Sequence, residues 1–169
     1  MALINPRTIV ALGCVGVLMV GLSVFMRPTP WLLYNPSPSE PIGFYRASFA
    51  APTPGQLISF KVPERGRAYA AHHLAYVLRN SILKEIAAGQ GSTVCADHGT
   101  LSIDGRARAI IADHDQQGAL LPHWQGCQLL GAGEYFVFSN RIPNSYDSRY
   151  YGPVSSHEVL GVYAPLWTW

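Results

Sequence analysis

The sequence predicts a mostly β, barrel-like domain with one short helix, preceded by an N-terminal transmembrane helix. Three observations carry that prediction. Thr8 to Met26 is an uncharged run of nineteen residues bracketed by Arg7 and Arg27, long enough to cross about 30 Å of hydrocarbon as a helix. Beyond it, about six short segments read as strands between turn signals. A single stretch, Arg65 to Leu78, has apolar residues at helical spacing. A chain of 169 residues allows one domain plus an anchor, so the division falls at residues 1–30 and 31–169. The net charge is only +2 and the basic residues are scattered, which excludes the basic stripe of a nucleic-acid binder.

Taken in order, the N-terminal run favours a retained signal anchor. A cleaved signal peptide is the rival, but its apolar core is usually shorter, and Ser23-Val24-Phe25-Met26 lacks a small-x-small cleavage site. Next comes Asn35-Pro36-Ser37-Pro38-Ser39-Glu40-Pro41-Ile42-Gly43-Phe44-Tyr45. Its prolines fix φ at three points and push the residues before them into extended geometry. Ser39 is therefore held in a stiff, non-helical segment. Such a hydroxyl has already lost part of the entropy that nucleophilic attack requires. The alternative is a Pro/Ser linker leaving a membrane.

Gln56 to Val62 alternates, with Ile58, Phe60 and Val62 on one face, and reads as a half-buried strand. In the helical stretch, Ala71, Leu74, Ala75 and Leu78 form the expected apolar face. His72 and His73 are neighbours on that helix and point apart, so they do not chelate one metal as an i, i+4 pair would. Ser81 to Ala88 reads as a strand. Thr100 to Ile103 and Arg106 to Ile111 flank Asp104-Gly105, a tight-hairpin signal. Tyr135 to Ser139 and Val159 to Ala164 complete the predicted strands. Asp113-His114-Asp115 invites a metal reading, but three consecutive loop residues rarely converge on one ion. Cys95 and Cys127 are the two cysteines outside the apolar run, with one possible intramolecular pairing in an oxidising compartment. Two thiolates without two further ligands at suitable spacing do not make a zinc site.

Serine is a poor nucleophile until a base takes its proton. No Ser-His-Asp pattern stands out among the six histidines, whereas Lys84 lies between Ile82 and Ile86 on one strand face. An ammonium flanked by two isoleucines on a buried face is poorly solvated, which favours the neutral amine. The competing reading is a surface lysine that protects an edge strand from aggregation.

Three stretches together resemble the type I signal peptidases, and most closely the conjugation-associated branch, the TraF-type pilin-maturation peptidases. They are the Asn-x-Ser-x-Ser-x-Pro-x-Gly-x-Tyr pattern from Asn35 to Tyr45; Ile82-Leu83-Lys84-Glu85-Ile86-Ala87-Ala88 followed by Gly91; and Asn144-Ser145-Tyr146-Asp147-Ser148-Arg149-Tyr150-Tyr151-Gly152-Pro153-Val154. The resemblance runs from about Leu33 to the C-terminus. It implies a signal-peptidase-like β-barrel domain and a Ser-Lys dyad, with Ser39 as nucleophile and Lys84 as general base. It also implies an oxyanion hole from the Ser37 hydroxyl and the Ser39 N–H. Ser145 would aim the lysine, and Asp147 and Arg149 would brace the site as an ion pair.

No cofactor or metal is implied. The expected partner is the precursor of a conjugative pilin, cleaved or circularised through an acyl-enzyme, with the conjugation machinery as a further partner. The expected location is the bacterial inner membrane, single-pass, with the domain in the periplasm, where Cys95 and Cys127 are expected to form a disulfide. There are departures: Glu40 stands where signal peptidases usually have Met, Glu85 follows the lysine, and the chain is short for their large extra β-domain. These favour a dedicated substrate over general signal-peptide processing. The rival from another class is a catalytically silent anchored β-domain, a structural part of a secretion or conjugation channel. A periplasmic metal-binding module would rest only on scattered histidines.

Overall fold

Strand formers between Gly, Pro and Asn/Asp turns are too short to be stable alone and must be stitched into sheets. The computed structural model describes residues 29–169, and the anchor reading falls on residues outside that range. Trp31–Trp169 makes one compact unit. Its elements run β1 (Leu32–Asn35), β2 (Gly43–Ser48), β3 (Leu57–Phe60), α1 (Glu64–His73), α2 (Ala75–Arg79), β4 (Ile82–Ala88), β5 (Thr93–Asp97), β6 (Thr100–Ile103), β7 (Arg106–Ile110), β8 (Gly126–Leu129), β9 (Glu134–Val137), α3 (Ser148–Tyr151), β10 (Val154–Ser155) and β11 (Val159–Thr168). No helix among the described residues is long and apolar enough to cross a membrane.

The domain is mostly β, as expected, but the strands form two open sheets rather than one closed barrel. Seven strands take the order β1-β2-β11-β3-β4-β9-β10, a half-barrel with free edges. The other four, β7-β6-β5-β8, come from the segment between β4 and β9. Closure fails because β1 and β10, the outer strands of the larger sheet, pair on one side only. In the smaller sheet Asp104 and Gly105 both take positive φ, 50° and 74°, the geometry a two-residue hairpin turn demands. Cys95 on β5 faces Cys127 on β8 in register, and the two form a disulfide.

The single expected helix is a second correction. It is broken at Leu74, whose φ of −136° and ψ of 42° leave the helical region, and α3 is an additional short helix. The buried face also differs: Gly66, Ala70 and Val77 are inside, whereas Ala71, Ala75 and Leu78 are exposed. The reason is close packing at Gly66, where an added Cβ would lie 2.9 Å from the Tyr146 hydroxyl. That hydroxyl donates to the Gly66 carbonyl at 2.8 Å. The contact turns α1 toward the loop that follows β9.

Three buried clusters fill the domain. One joins the smaller sheet to Trp124, Phe136 and Tyr150. The next lies between the larger sheet and the helices, with Ile58, Phe60, Ile82, Ile86 and Tyr151. The third is Tyr45, Leu83 and Tyr163. Strand β4 separates the last two, because alternate residues enter opposite cores. Its pattern places Lys84 on the same face as Ile82 and Ile86, opposite Ile58 of β3.

Candidate active site

The serine stretch forms the connection between β1 and β2, which pair antiparallel from Leu32↔Arg46 to Asn35↔Gly43. Residues 36–42 contain no regular element, as three prolines require. Their backbone groups are tied down by Asn35. Its side-chain amide donates to the carbonyls of Ser37 (2.9 Å), Glu40 (3.2 Å) and Pro41 (3.1 Å), and its oxygen accepts the Ser37 N–H. The Tyr45 hydroxyl donates to the Pro41 carbonyl at 2.5 Å, and the Ser139 hydroxyl donates to the Ser39 carbonyl. Ser39 is 2% exposed, which rules out a solvated linker.

This held loop meets β4. Lys84 Nζ lies 2.5 Å from Ser39 Oγ, and the lysine is 4% exposed. Its other hydrogen bond runs to the Leu83 carbonyl at 3.3 Å. Burial pushes the Lys84 amine below its ordinary pKa, against the upward pull of Asp147 and Glu40. The surface-lysine reading therefore fails: this side chain is inside, and its amine faces a hydroxyl.

Ser37 Oγ is 3.0 Å from Ser39 Oγ, and the Ser39 N–H donates to it at 3.4 Å. Two donors, the Ser37 hydroxyl and the Ser39 amide, thus sit beside the Ser39 oxygen. Asp147 and Arg149 form a fully buried bidentate pair, Nε to Oδ1 at 2.8 Å and Nη2 to Oδ2 at 2.9 Å. Asp147 also caps α3 by accepting the Arg149 N–H, and it takes the Ser139 N–H on Oδ2. Ser145 departs from expectation. Its carbonyl accepts from Arg149, but its hydroxyl is buried without a hydrogen-bond partner, so the bond to the lysine is not made.

Two residues of the site were not singled out from the sequence. Ser139 couples the Ser39 carbonyl to Asp147, and a lone serine at the end of a strand gives no signal of that. Asn35 opens a Pro-rich loop, where an Asx-type bond to the residue two ahead is a general expectation. Glu40, noted only as a departure, is 5% exposed and accepts the Glu85 N–H on Oε1 at 3.3 Å. Desolvation raises its pKa to about 7. Asp115 is a loop cap: it takes the Gln117 and Ala119 N–H groups and the Tyr69 hydroxyl. Among the described residues, no three His, Cys, Asp or Glu side chains gather as a metal cluster. A cleft of about 620 Å³ opens beside the pair, walled by Glu40, Glu85, Ile86, Ser139, Arg141 and Tyr163.

A fold of this kind, with a serine on a rigid loop against a buried lysine, matches a family: the chain belongs to "Signal peptidase, peptidase S26", whose model covers residues 6–168. Among its relatives is a plasmid transfer protein TraF of Escherichia coli, 26% identical over 145 residues, covering 80% of this chain and 82% of that one. A conjugal transfer protein TraF of Agrobacterium fabrum is 27% identical over 169 residues, with 93% of each chain covered. A signal peptidase I of Enterococcus faecalis superposes with a TM-score of 0.41 at 24% identity, covering 68% of this chain and 98% of that structure.

Proposed function

We propose that this chain is a membrane-anchored serine endopeptidase of the Ser-Lys type that matures a conjugative pilin precursor. The observation that carries the reading is the 2.5 Å contact between two buried groups, Ser39 Oγ and Lys84 Nζ. The neutral Lys84 amine accepts the Ser39 proton as Oγ attacks the scissile carbonyl. The Ser37 hydroxyl and Ser39 N–H receive the developing oxyanion, an effect worth several kcal/mol. Collapse releases the C-terminal fragment with the proton carried by Lys84, leaving an acyl ester on Ser39. Water then hydrolyses the ester. If the pilin's own N-terminal amine attacks instead, the ends are joined without an external energy source. The Asp147–Arg149 pair braces the site behind the lysine, with Asp147 also holding the Ser139 N–H.

The pilin assignment draws on the conjugal names of the relatives. Placement at a bilayer draws on the uncharged run of residues 8–26, and on exposed aromatic side chains at the start and end of the larger sheet, Trp31, Tyr34, Trp167 and Trp169.

The test is mass spectrometry of the candidate pilin, co-expressed with the full chain or its Ser39→Ala variant. Processing lost with normal expression of the variant is expected; unchanged processing overturns the peptidase reading in favour of a silent structural domain. A mature pilin lighter by one water than the linear peptide marks cyclisation, and a linear mass marks plain endoproteolysis.

A further inference from the structure

The serine loop is held carbonyl by carbonyl. Every residue from Ser37 to Ile42 has its backbone oxygen bonded to a donor. Asn35 and Tyr45, on the strands that bracket the loop, hold Ser37, Glu40 and Pro41, and the Trp169 N–H holds Ile42. The two carbonyls on either side of the Ser39 Cα have a different source. Both are held by the short segment after β9, 100 and 103 residues away in sequence. Arg141 Nε donates to the Pro38 carbonyl at 3.4 Å, and the Ser139 hydroxyl donates to the Ser39 carbonyl.

We propose that Ser139 and Arg141 are positioning residues: they clamp the two peptide planes that flank Ser39 and so aim both its N–H and its hydroxyl. A trans peptide is planar, and its C=O and N–H point in opposite directions. The Pro38 carbonyl and the Ser39 N–H share one plane. Holding the first toward Arg141 turns the second the other way, where it meets Ser37 Oγ at 3.4 Å. A guanidinium on that carbonyl also polarises the peptide and strengthens its N–H as a donor. The Ser39 carbonyl belongs to the next plane. With both planes fixed, Ser39 keeps little freedom in φ or ψ, and its Oγ stays against Lys84 Nζ. The clamp is itself anchored. Ser139 Oγ accepts the Arg141 N–H at 3.2 Å, which turns the one hydroxyl proton toward the Ser39 carbonyl. The Ser139 N–H is held by Asp147 Oδ2 at 3.2 Å, and Asp147 by the bidentate Arg149. Ser139 is 3% exposed and Ser39 2%, so the carbonyl has no bulk water to turn to when the hydroxyl is removed. The buried ion pair thus reaches the serine through its backbone, a route that needs no contact with the lysine. The effect on cleavage rests on Ser39 being the nucleophile; the clamp on the loop does not.

The test pairs a backbone measurement with a kinetic one. Full-length protein in detergent and its Ser139→Ala variant are compared by hydrogen–deuterium exchange, read by mass spectrometry on peptic fragments. Across residues 36–42 the prolines carry no amide hydrogen, so the signal comes from Ser37, Ser39, Glu40 and Ile42. Those amides are expected to exchange about tenfold faster in the variant, the equivalent of one lost hydrogen bond, while the sheets keep their native rates. In cleavage of the candidate pilin precursor, kcat should fall by about a hundredfold, the cost of a misplaced nucleophile, with KM nearly unchanged. The acid limb of the pH profile should stay in place, because Ser139 does not titrate there and Lys84 is untouched. Unchanged exchange in residues 36–42, or a rise confined to residues 138–149, overturns the proposal. So does faster loop exchange with native kcat, and so does a displaced acid limb, which would put the effect on the base. Should the buried variant fold poorly, Arg141→Ala alters an exposed side chain instead. It should show the same exchange signature and lose about tenfold in kcat; native exchange and rate in it overturn the clamp. Faster loop exchange in the variants of a protein that cleaves nothing even in its native form would uphold the clamp and sink the peptidase reading.

Discussion

Lys84 shows how much chemistry one buried position imposes. A general base at neutral pH must be the neutral amine, so the lysine pKa has to lie below its ordinary value. Desolvation works in that direction, and Asp147 and Glu40 work against it. Activity should therefore rise with pH through the lowered lysine pKa, because only the unprotonated amine accepts the Ser39 proton. A histidine base would give a similar limb, so the deciding measurement is Lys84→Arg. Arginine keeps the charge and essentially cannot deprotonate. Processing should fall to background while circular dichroism remains native; near-normal processing would return the search to the histidines. The Asp147–Arg149 pair sets a second expectation. Arg149→Ala would leave a buried carboxylate without its partner and should destabilise the domain by about 3–5 kcal/mol in urea unfolding. A loss under about 1 kcal/mol would mean the pair behaves like an exposed one.

Secondary elements were legible where local signals are strong and hidden where packing decides. The alternation of Ile58 and Phe60 marked β3, and Asp104-Gly105 marked the β6–β7 hairpin, because register and turn geometry are written in adjacent residues. β1 and β2 were not read as strands, since the Pro-rich stretch between them masks two short runs that only pair with each other and with β11. The break at Leu74 has no Pro or Gly to announce it, and the Gly66 contact with Tyr146 joins residues 80 apart in sequence. At the site, the three motifs brought forward Ser39, Lys84, Ser37, Asp147 and Arg149. The roles of Asn35 and Ser139 depend on which carbonyls converge in space. The disulfide carries a prediction at this scale. It closes a loop between residues 32 apart, worth roughly 3–4 kcal/mol on the loop-entropy model. Cys127→Ser should lower the unfolding free energy by a matching amount and steepen the urea slope, because the unfolded chain loses its cross-link. Thiol labelling of unreduced, denatured native protein should modify Cys14 alone, and labelling of all three cysteines would contradict the bridge.

For the whole molecule, the distribution of exposed aromatics argues for how the domain meets its surroundings. Tyr34 on β1 lies opposite Phe44 on β2, and Phe44 opposite Trp167 on β11, so one face of three adjacent strands carries a row of rings. Tyr34 and Phe44 contact with centroids 5.2 Å apart, and Trp167 and Trp169 with centroids 5.8 Å apart. The two tryptophans are 69% and 63% exposed, which a domain in bulk water has no reason to maintain in a cluster. Trp and Tyr with one apolar and one polar edge are favoured at the headgroup level of a bilayer. The chain also enters this sheet directly from the segment holding the uncharged run, which ends at Met26, only five residues before Trp31. Arg46, level with Leu32 in the β1–β2 register, adds a cation to the same face. Full-length protein reconstituted into vesicles containing brominated lipid should therefore show strong tryptophan quenching. Part of it should disappear in the Trp167→Phe/Trp169→Phe variant. Trp124 is 8% exposed and packs on Phe136, so it should contribute little to the quenched fraction. Equal quenching in both proteins would leave only Trp31 near the lipid and would turn the β1–β2–β11 face toward water. A loss confined to the double variant would bring the C-terminal end of the sheet, and the Ile42 carbonyl to which the Trp169 amide donates, to the membrane surface.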